Sequence, residues 1–517
     1  MLQPVYIVAF TGHRSADTPG RSPKELEACR PLIEKALKDL RNQIASVQGQ
    51  LHLIASVAEG ADTIALETAK ELGIPIHILL PLPREQFQED FDDRADTWPS
   101  SLSLIDYAER GENHSTLRLA DSTLTRPECY AETNEQMLSS ADALIALWNE
   151  EPAQGTGGTA QVWKAAEARK LARIHINPAT QSVNCSDLDK LATPSDPSQS
   201  LFNSLAPHFP DLNTESKSAN SSHSEICHQA MDEMANSAGH SSRSGTRISI
   251  LLHGTASVLA AAAVSYALAT GLSDLTKTIL ISVSVLEFFL ILAAEIIHRS
   301  HHRSHTGEKW IQFRFAAELL RPYHLIHQHL DPFRPLIQLH YPQWRRLILS
   351  IVLVEPRQQI RDLEAAKQDY LSKRIIDQIK YFKEEQMKAA PKAKRIYRCM
   401  RLTSQSALII VLIATIYKIT HFPAPLIPVW TLEWILYLLP IALPLLAGIL
   451  LALRQSLDIA RRKLRYKHME NFLLQQKQKI AHSHTLHTFQ SHVAKTEDTL
   501  LDELKEFQIA QSIGLEH

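Results

Sequence analysis

Three short stretches in the first third of the chain set glycine beside polar side chains where an apolar run ends. They are Gly12-His13-Arg14, then Ser56 with Glu59-Gly60-Ala61-Asp62, then Gly155, Gly157, Gly158 and Thr159. Glycine lets a backbone come close to a ligand because no Cβ intervenes. N–H groups at a helix start, aided by the helix dipole, suit a phosphate or a hydroxyl. Arg14 adds a permanent cation, and His13 is either a ligand contact or a turn residue. The pattern differs from a Walker A loop, since no Gly-Lys-Ser/Thr follows, and from the spaced GxGxxG fingerprint after a first strand. Glu59 and Asp62 also suit ordinary first-turn helix acids, and Glu59 is the leading acid or base if the chain is an enzyme.

That chemistry requires the three stretches to meet. Residues 5–10, 51–56, 74–80, 141–148 and 173–177 are apolar runs that read as buried strands. Helices are expected over 23–47, from 58 to 72 and from the third glycine-rich stretch to Leu171. Strands alternating with helices imply a parallel sheet covered on both faces. In such a sheet the loops after the strands share the carboxyl edge, where ligands bind.

Length and charge narrow the classes. At roughly 100–200 residues per domain, 517 residues exceed a single domain. A net charge of −2 argues against a dedicated nucleic-acid partner. The five cysteines form no CxxC pair, which excludes a Cys-based zinc module and a disulfide framework.

The mean hydropathy of −0.15 averages two unlike halves. Residues 248–270 carry no charged side chain, and 278–297 carry only Glu287 and Glu295. Each run suffices to cross a hydrocarbon core of about 30 Å. Residues 404–419 and 435–453 form a second hairpin around the turn 421–428, with Trp430, Trp434 and Tyr437 at the interface. Between the hairpins, residues 298–406 hold 21 Lys/Arg against 10 Asp/Glu. The positive-inside rule then places both termini and this insert in the cytoplasm. The expected layout is an α/β domain over 1–179, a polar flexible linker over 180–245, a first transmembrane hairpin over 246–298, a basic helical insert over 299–403, a second hairpin over 404–453 and C-terminal helices over 454–517. The fold class is thus α/β followed by an all-α membrane domain with four transmembrane helices. A mid-membrane carboxylate is costly unless paired or solvated, so Glu287 is expected to line an inter-subunit path or bond another helix, in a homo-oligomer embedded in a lipid bilayer. His298, His301, His302 and His305 crowd beside Arg299 and Arg303, which suits anionic headgroups better than a metal.

Val8-Ala-Phe-Thr-Gly-His-Arg14, Ser56-Val-Ala-Glu-Gly-Ala-Asp62, Leu79-Leu-Pro81 with Phe87 and Asp90-Phe91, Ala141-Asp142 to Trp148, and Gly157-Gly-Thr-Ala160 together resemble the SLOG superfamily over about residues 5–178. That superfamily includes LOG-type phosphoribohydrolases, DprA and the sensor domains of TRPM channels. The resemblance implies a Rossmann-like domain and a nucleotide or nucleotide-derived ligand, such as a nucleotide second messenger or an NAD/ADP-ribose-like molecule, with no further cofactor. It implies Gly12, Arg14, Glu59, Gly157, Gly158 and Thr159 as contacts. LOG enzymes carry PGGxGTxxE, whose glutamate serves hydrolysis, whereas Ala160, Gln161 and Val162 follow Thr159 here. A missing carboxylate favours binding over cleavage.

Trp310-Ile-Gln-Phe-Arg314-Phe-Ala-Ala-Glu318-Leu-Leu-Arg321 resembles the SLATT domains, membrane hairpins joined to SLOG sensors in bacterial conflict systems, over about residues 245–475. The resemblance implies a pore-forming or membrane-disrupting effector in the bacterial inner (cytoplasmic) membrane, acting in anti-phage defence. Trp310, Arg314 and Glu318 share one helix face at i, i+4 and i+8, fit for packing or for gating. The alternative is a membrane-tethered nucleotide phosphoribohydrolase or NAD-consuming hydrolase. A transporter or anchor ranks last, because Glu287 and a few Ser/Thr supply little polarity to the spans.

Overall fold

The computed structural model describes residues 2–110, 114–118, 124–152, 157–193, 196–210, 222–271, 273–303, 306–326, 342–353, 363–420, 429–457 and 459–513. The chain forms two compact units. The first comprises Met1–Met231, Ala316–Gln368 and Ser483–Leu501, and the second comprises Asp232–Phe315, Asp369–His482 and Asp502–His517.

The first unit is built on seven strands: β1 (Val5–Gly12), β2 (Gln50–Ala55), β3 (Ile76–Leu80), β4 (Ser115–Arg118), β5 (Ala143–Leu147), β6 (Ala172–Asn177) and β7 (Ser182–Ser186). Their order is β4-β3-β2-β1-β5-β6-β7, and all neighbours are parallel except β6 and β7. The parallel α/β sheet is therefore present, with two strands beyond the expected five. β4 and β7 are short, polar edge strands, Ser-Thr-Leu-Arg and Ser-Val-Asn-Cys-Ser, which need no apolar run because one side lacks a neighbour. β7 falls within residues 180–245, read from the sequence as a linker.

The helices of this part are α1 (Pro23–Ala28), α2 (Arg30–Ala45), α3 (Ala61–Glu71), α4 (Arg84–Gln88), α5 (Trp98–Arg110), α6 (Arg126–Ser140), α7 (Thr159–Ala168) and α8 (Pro197–Leu205). The helix expected over 23–47 is broken at Cys29, because Pro31 in the first turn of α2 lacks the N–H that would continue α1. Alternate residues of β1 serve opposite faces. Tyr6, Val8 and Phe10 join one core with Leu37 of α2 and Ile105 of α5. Val5, Ile7 and Ala9 join the other with Leu144, Ala146, Met137 of α6 and Val162 of α7.

That second core also contains Leu349 and Leu353, from the stretch between the two hairpins. Seven of the eight residues of the helix Arg345–Val352, Arg346 through Val352, are buried. A helix buried on all sides belongs inside a core, not on a solvated surface. Its Ser350 Oγ accepts a hydrogen bond from Val5 N at 2.9 Å. The α/β sheet is thus completed by a segment about 340 residues downstream of β1.

The remaining helices are α9 (His223–Thr270), α10 (Asp274–Arg303), α11 (Thr306–Ile326), α12 (Arg345–Val352), α13 (Leu363–Tyr370), α14 (Asp377–Thr420), α15 (Val429–Leu457), α16 (Ile459–Ala481) and α17 (Leu486–Ile513). Four stretches are long and apolar enough to cross a membrane: Arg247–Thr270, Asp274–Ile297, Lys394–Tyr417 and Leu432–Ala452, consistent with a multi-pass membrane protein. The turn 421–428 lies outside the described residues. Within the second unit, Gly254 of α9 meets Ile449 of α15, and Trp434 Nε1 reaches Ala262 O at 3.4 Å. α10 turns Val285, Phe288, Phe289, Leu292 and Ile296 outward, and α14 does the same with Leu408, Ile409, Leu412 and Ile416. Apolar surface on this scale suits acyl chains, not water.

Leu349→Ala is expected to cost about 2–5 kcal/mol, the usual range for emptying a packed leucine site. Hydrogen exchange of the β1 amides in the full chain reads this directly, and unchanged protection would show that α12 is not part of the sheet's core.

Candidate functional site

Strands β2 to β4 are added on one side of β1, and β5 to β7 on the other. The crevice outside the carboxyl ends of β1 and β5 is therefore the topological switch point, where open α/β sheets bind ligands. Gly12 ends β1 against the first turn of α3, and a Cβ there would overlap Ala61. Gly60 has φ +102°, and a Cβ there would sit 2.7 Å from His13 O. Only glycine accommodates both demands. Ala61 N donates to His13 O at 3.0 Å, His13 N to Leu147 O at 3.2 Å and Thr159 Oγ1 to Gly12 O at 3.1 Å. The end of β1 is thereby tied to α3, β5 and α7.

The expected side chains gather around that knot. His13 Nε2 lies 2.7 Å from Asn149 Oδ1 and 3.1 Å from Asn149 N. Burial holds its pKa below the usual imidazole value, so the ring is neutral at pH 7. Arg14 Nη2 donates to Tyr130 OH at 3.2 Å and to Asp90 Oδ2 at 3.4 Å, and its guanidinium lies 5.8 Å from the centre of the Tyr130 ring. Tyr130 OH itself donates to Asp90, which also takes Arg126. With 42% of its side chain exposed, Arg14 is braced from behind and still open to a ligand.

The acids are less free than the sequence suggests. Glu59 accepts from Ser15 N at 3.1 Å and pairs with Arg94 at 3.6 Å, so it holds the loop after β1. Asp62 is buried, its Oδ1 has no hydrogen-bond partner, and burial pushes its pKa up to about 8 against the opposing pull of Arg14. Ser56 Oγ is likewise buried without a partner.

Of the glycine-rich stretch, Gly155 lies outside the described residues. Gly157 N donates to Gln161 Oε1 at 2.7 Å and Gly157 O accepts from Asn134 Nδ2 at 2.8 Å. Gly158 is the N-cap of α7, which Thr159 opens. Gln161 stands among the three residues after Thr159 that carry no carboxylate, and it caps this turn. Gly12, His13, Arg14, Glu59, Gly60, Asp62, Gly158 and Thr159 therefore meet at one sheet edge. Asn149, Tyr130, Asn134 and Arg94 join them without a sequence motif to announce them. A cavity of about 650 Å³ lies away from this edge, on the outer helices, lined by Lys70, Leu102, Tyr107 and Arg110. It is open, and Lys70 covers the Tyr107 ring at 4.4 Å.

Of the residues singled out in the membrane half, Trp310 and Arg314 meet another helix, while Glu318 and Glu295 pair within their own. Trp310 of α11 fills a notch at Gly239 of α9, where any Cβ would overlap the indole. Arg314 Nη1 pairs with Asp232 Oδ1 at 2.7 Å. Glu318 Oε2 pairs with Arg321 Nη1 at 3.3 Å. Glu295 is paired with Arg299 at 2.6 Å. Glu287 lies on the half-buried side of α10 with Val283 and Leu290, opposite its exposed phenylalanines. The side chains of His298, His301, His302 and His305 lie outside the described residues.

Two expected outcomes follow from these contacts. The raised pKa of Asp62 means the folded state keeps a proton that the unfolded state releases near pH 4. Its contribution to stability is full below about pH 4 and is lost as pH rises to about 8. Asp62→Asn should remove that slope, so the melting temperature of the variant gains on the wild type steadily across this window and no further above it. Gly239→Val should overpack the Trp310 notch by about 1–3 kcal/mol and lower the melting temperature of the detergent-solubilised chain.

Neither the comparison with family models nor the comparison with curated proteins returns a match.

Proposed function

We propose that this chain is a membrane effector gated by a nucleotide or nucleotide-derived ligand bound at the carboxyl edge of β1 and β5. The observation that carries the reading is the convergence of Gly12-His13-Arg14, the α3 start and the α7 start at the switch point of a chain with four membrane-competent helices. Two helix starts attract phosphate oxygens, Arg14 supplies a braced cation, and the neutral His13 ring suits a ribose hydroxyl or a base. The resemblance to SLOG sensors and SLATT hairpins supports the same reading. On it, a homo-oligomer in the bacterial inner membrane keeps both termini in the cytoplasm and opens a pore or disrupts the bilayer in anti-phage defence. Ligand binding gates the membrane half only by favouring one of its states over another.

One observation favours the hydrolase alternative. Burial pushes the pKa of the Asp62 carboxyl up to about 8, the direction in which enzymes shift a general acid. Asp62 thereby joins Glu59 as the acid to test.

The experiment titrates the full chain in detergent with ADP-ribose, NAD and cyclic dinucleotides, and follows dye release from vesicles holding the same protein. Arg14→Ala should weaken binding at least about tenfold, the range for a lost charged hydrogen bond, and abolish ligand-dependent release. Unchanged release in that variant contradicts the effector reading. Base release from the nucleotide, lost in Asp62→Asn or Glu59→Gln, would establish the hydrolase instead.

A further inference from the structure

Asp142 immediately precedes β5, at the end of the strand pair opposite the candidate site. Its Oδ2 accepts from Ile7 N of β1 at 2.9 Å, and its Oδ1 takes both Arg345 and Arg346 of α12. Arg345 also donates to Ala141 O at 2.8 Å. Arg346 is 3% exposed, pairs with Asp196 at 2.5 Å and lies 4.0 Å over the Tyr6 ring. One carboxylate therefore joins β1, β5 and α12, which lies between the two pairs of membrane-competent stretches.

An apolar contact would hold α12 in place at lower cost, because burying charges forfeits their hydration. What a buried charge pair adds is a fixed register with discrete alternatives, the property a switch needs. The surroundings permit such alternatives. A cavity of about 310 Å³ borders the pair and is lined by Asp142, Asp196, Arg345, Arg346, Lys170 and Lys190, so cations and carboxylates have room to exchange partners. The Nε of Arg346 is buried with no hydrogen-bond partner. β1 and β5 run from this joint to the site in an unbroken register, Val8 with Ala143 through Gly12 with Leu147.

We propose that the Asp142–Arg345–Arg346 cluster is a coupling joint: changes at the carboxyl ends of β1 and β5 reach α12, and so the chain between the hairpins, through this carboxylate. The inference needs no ligand, so its test stands apart from the nucleotide reading.

Hydrogen exchange is followed in the full chain in detergent, with no nucleotide added, for peptides covering 345–352 and 30–45. Thr159→Val cuts the tie between α7 and Gly12 O at the far end of β1. It should raise exchange over 345–352 by about tenfold, as expected for coupled neighbours in one network, and leave 30–45 unchanged. Thr159→Ser, which keeps the hydroxyl, should behave as wild type. In an Asp142→Asn background, Thr159→Val should add less than about twofold. Unchanged exchange over 345–352 in Thr159→Val, or an equal rise in both backgrounds, overturns the proposal. If Asp142→Asn exposes 30–45 as well, Arg345→Gln replaces it under the same criteria.

Discussion

At the amino end of β5 a single carboxylate, that of Asp142, bonds the backbone of β1 and two arginines from a helix some 200 residues downstream. Such an arrangement is stable only when complete. A buried guanidinium without partners costs several kcal/mol, and Arg346 meets that cost with Asp142, Asp196, Gln199 and the face of Tyr6. The same contacts determine what the first unit is. The sheet's second core includes Leu349 of α12 and Leu353 just after it, so the α/β half and the segment Ala316–Gln368 belong to one compact unit. Asp196 and Gln199 bring the start of α8 into the same cluster, which explains why chain read as linker is ordered there.

The carboxyl end of the strand pair is organised by the opposite logic. There the backbone groups of Gly12, His13 and Gly157 are tied to neighbours, while Ser56 Oγ and Asp62 Oδ1 are buried without hydrogen-bond partners. The fixed backbone geometry and the open Arg14 guanidinium are what the proposed binding needs, since little reorganisation is then required of the protein. Glu59 is committed to Ser15 and Arg94, whereas Asp62 keeps one unpartnered oxygen and a pKa that burial raises.

Much of this was legible in the sequence, and the failures have physical causes. The central strands announce themselves because burial on both faces demands continuous apolar runs, as in Val5-Tyr-Ile-Val-Ala-Phe10. The four membrane-competent helices announce themselves because crossing a hydrocarbon core demands a long run with few charges. The glycines after β1 and β2 mark close approaches that only glycine tolerates. By contrast β4 and β7 are edge strands whose polar residues carry no such demand. The run Leu347-Ile-Leu-Ser-Ile-Val352 is too short to assign by period, and it sits in a strongly basic stretch that reads as solvated. Its partners lie up to 345 residues away, beyond any local pattern. Tyr130 and Asn149 enter the site for the same reason, through tertiary packing with no spacing to betray it.

Photo-crosslinking of the full chain with an azido-substituted ADP-ribose analogue tests the central claim most directly, because it locates the ligand without relying on any variant. Labelled peptides should contain residues 12–15, 56–62 or 157–161, and unlabelled ADP-ribose should compete the label away. Competable label confined to α5 and the Lys70–Tyr107 cavity, with none at the ends of β1 and β5, would contradict the account.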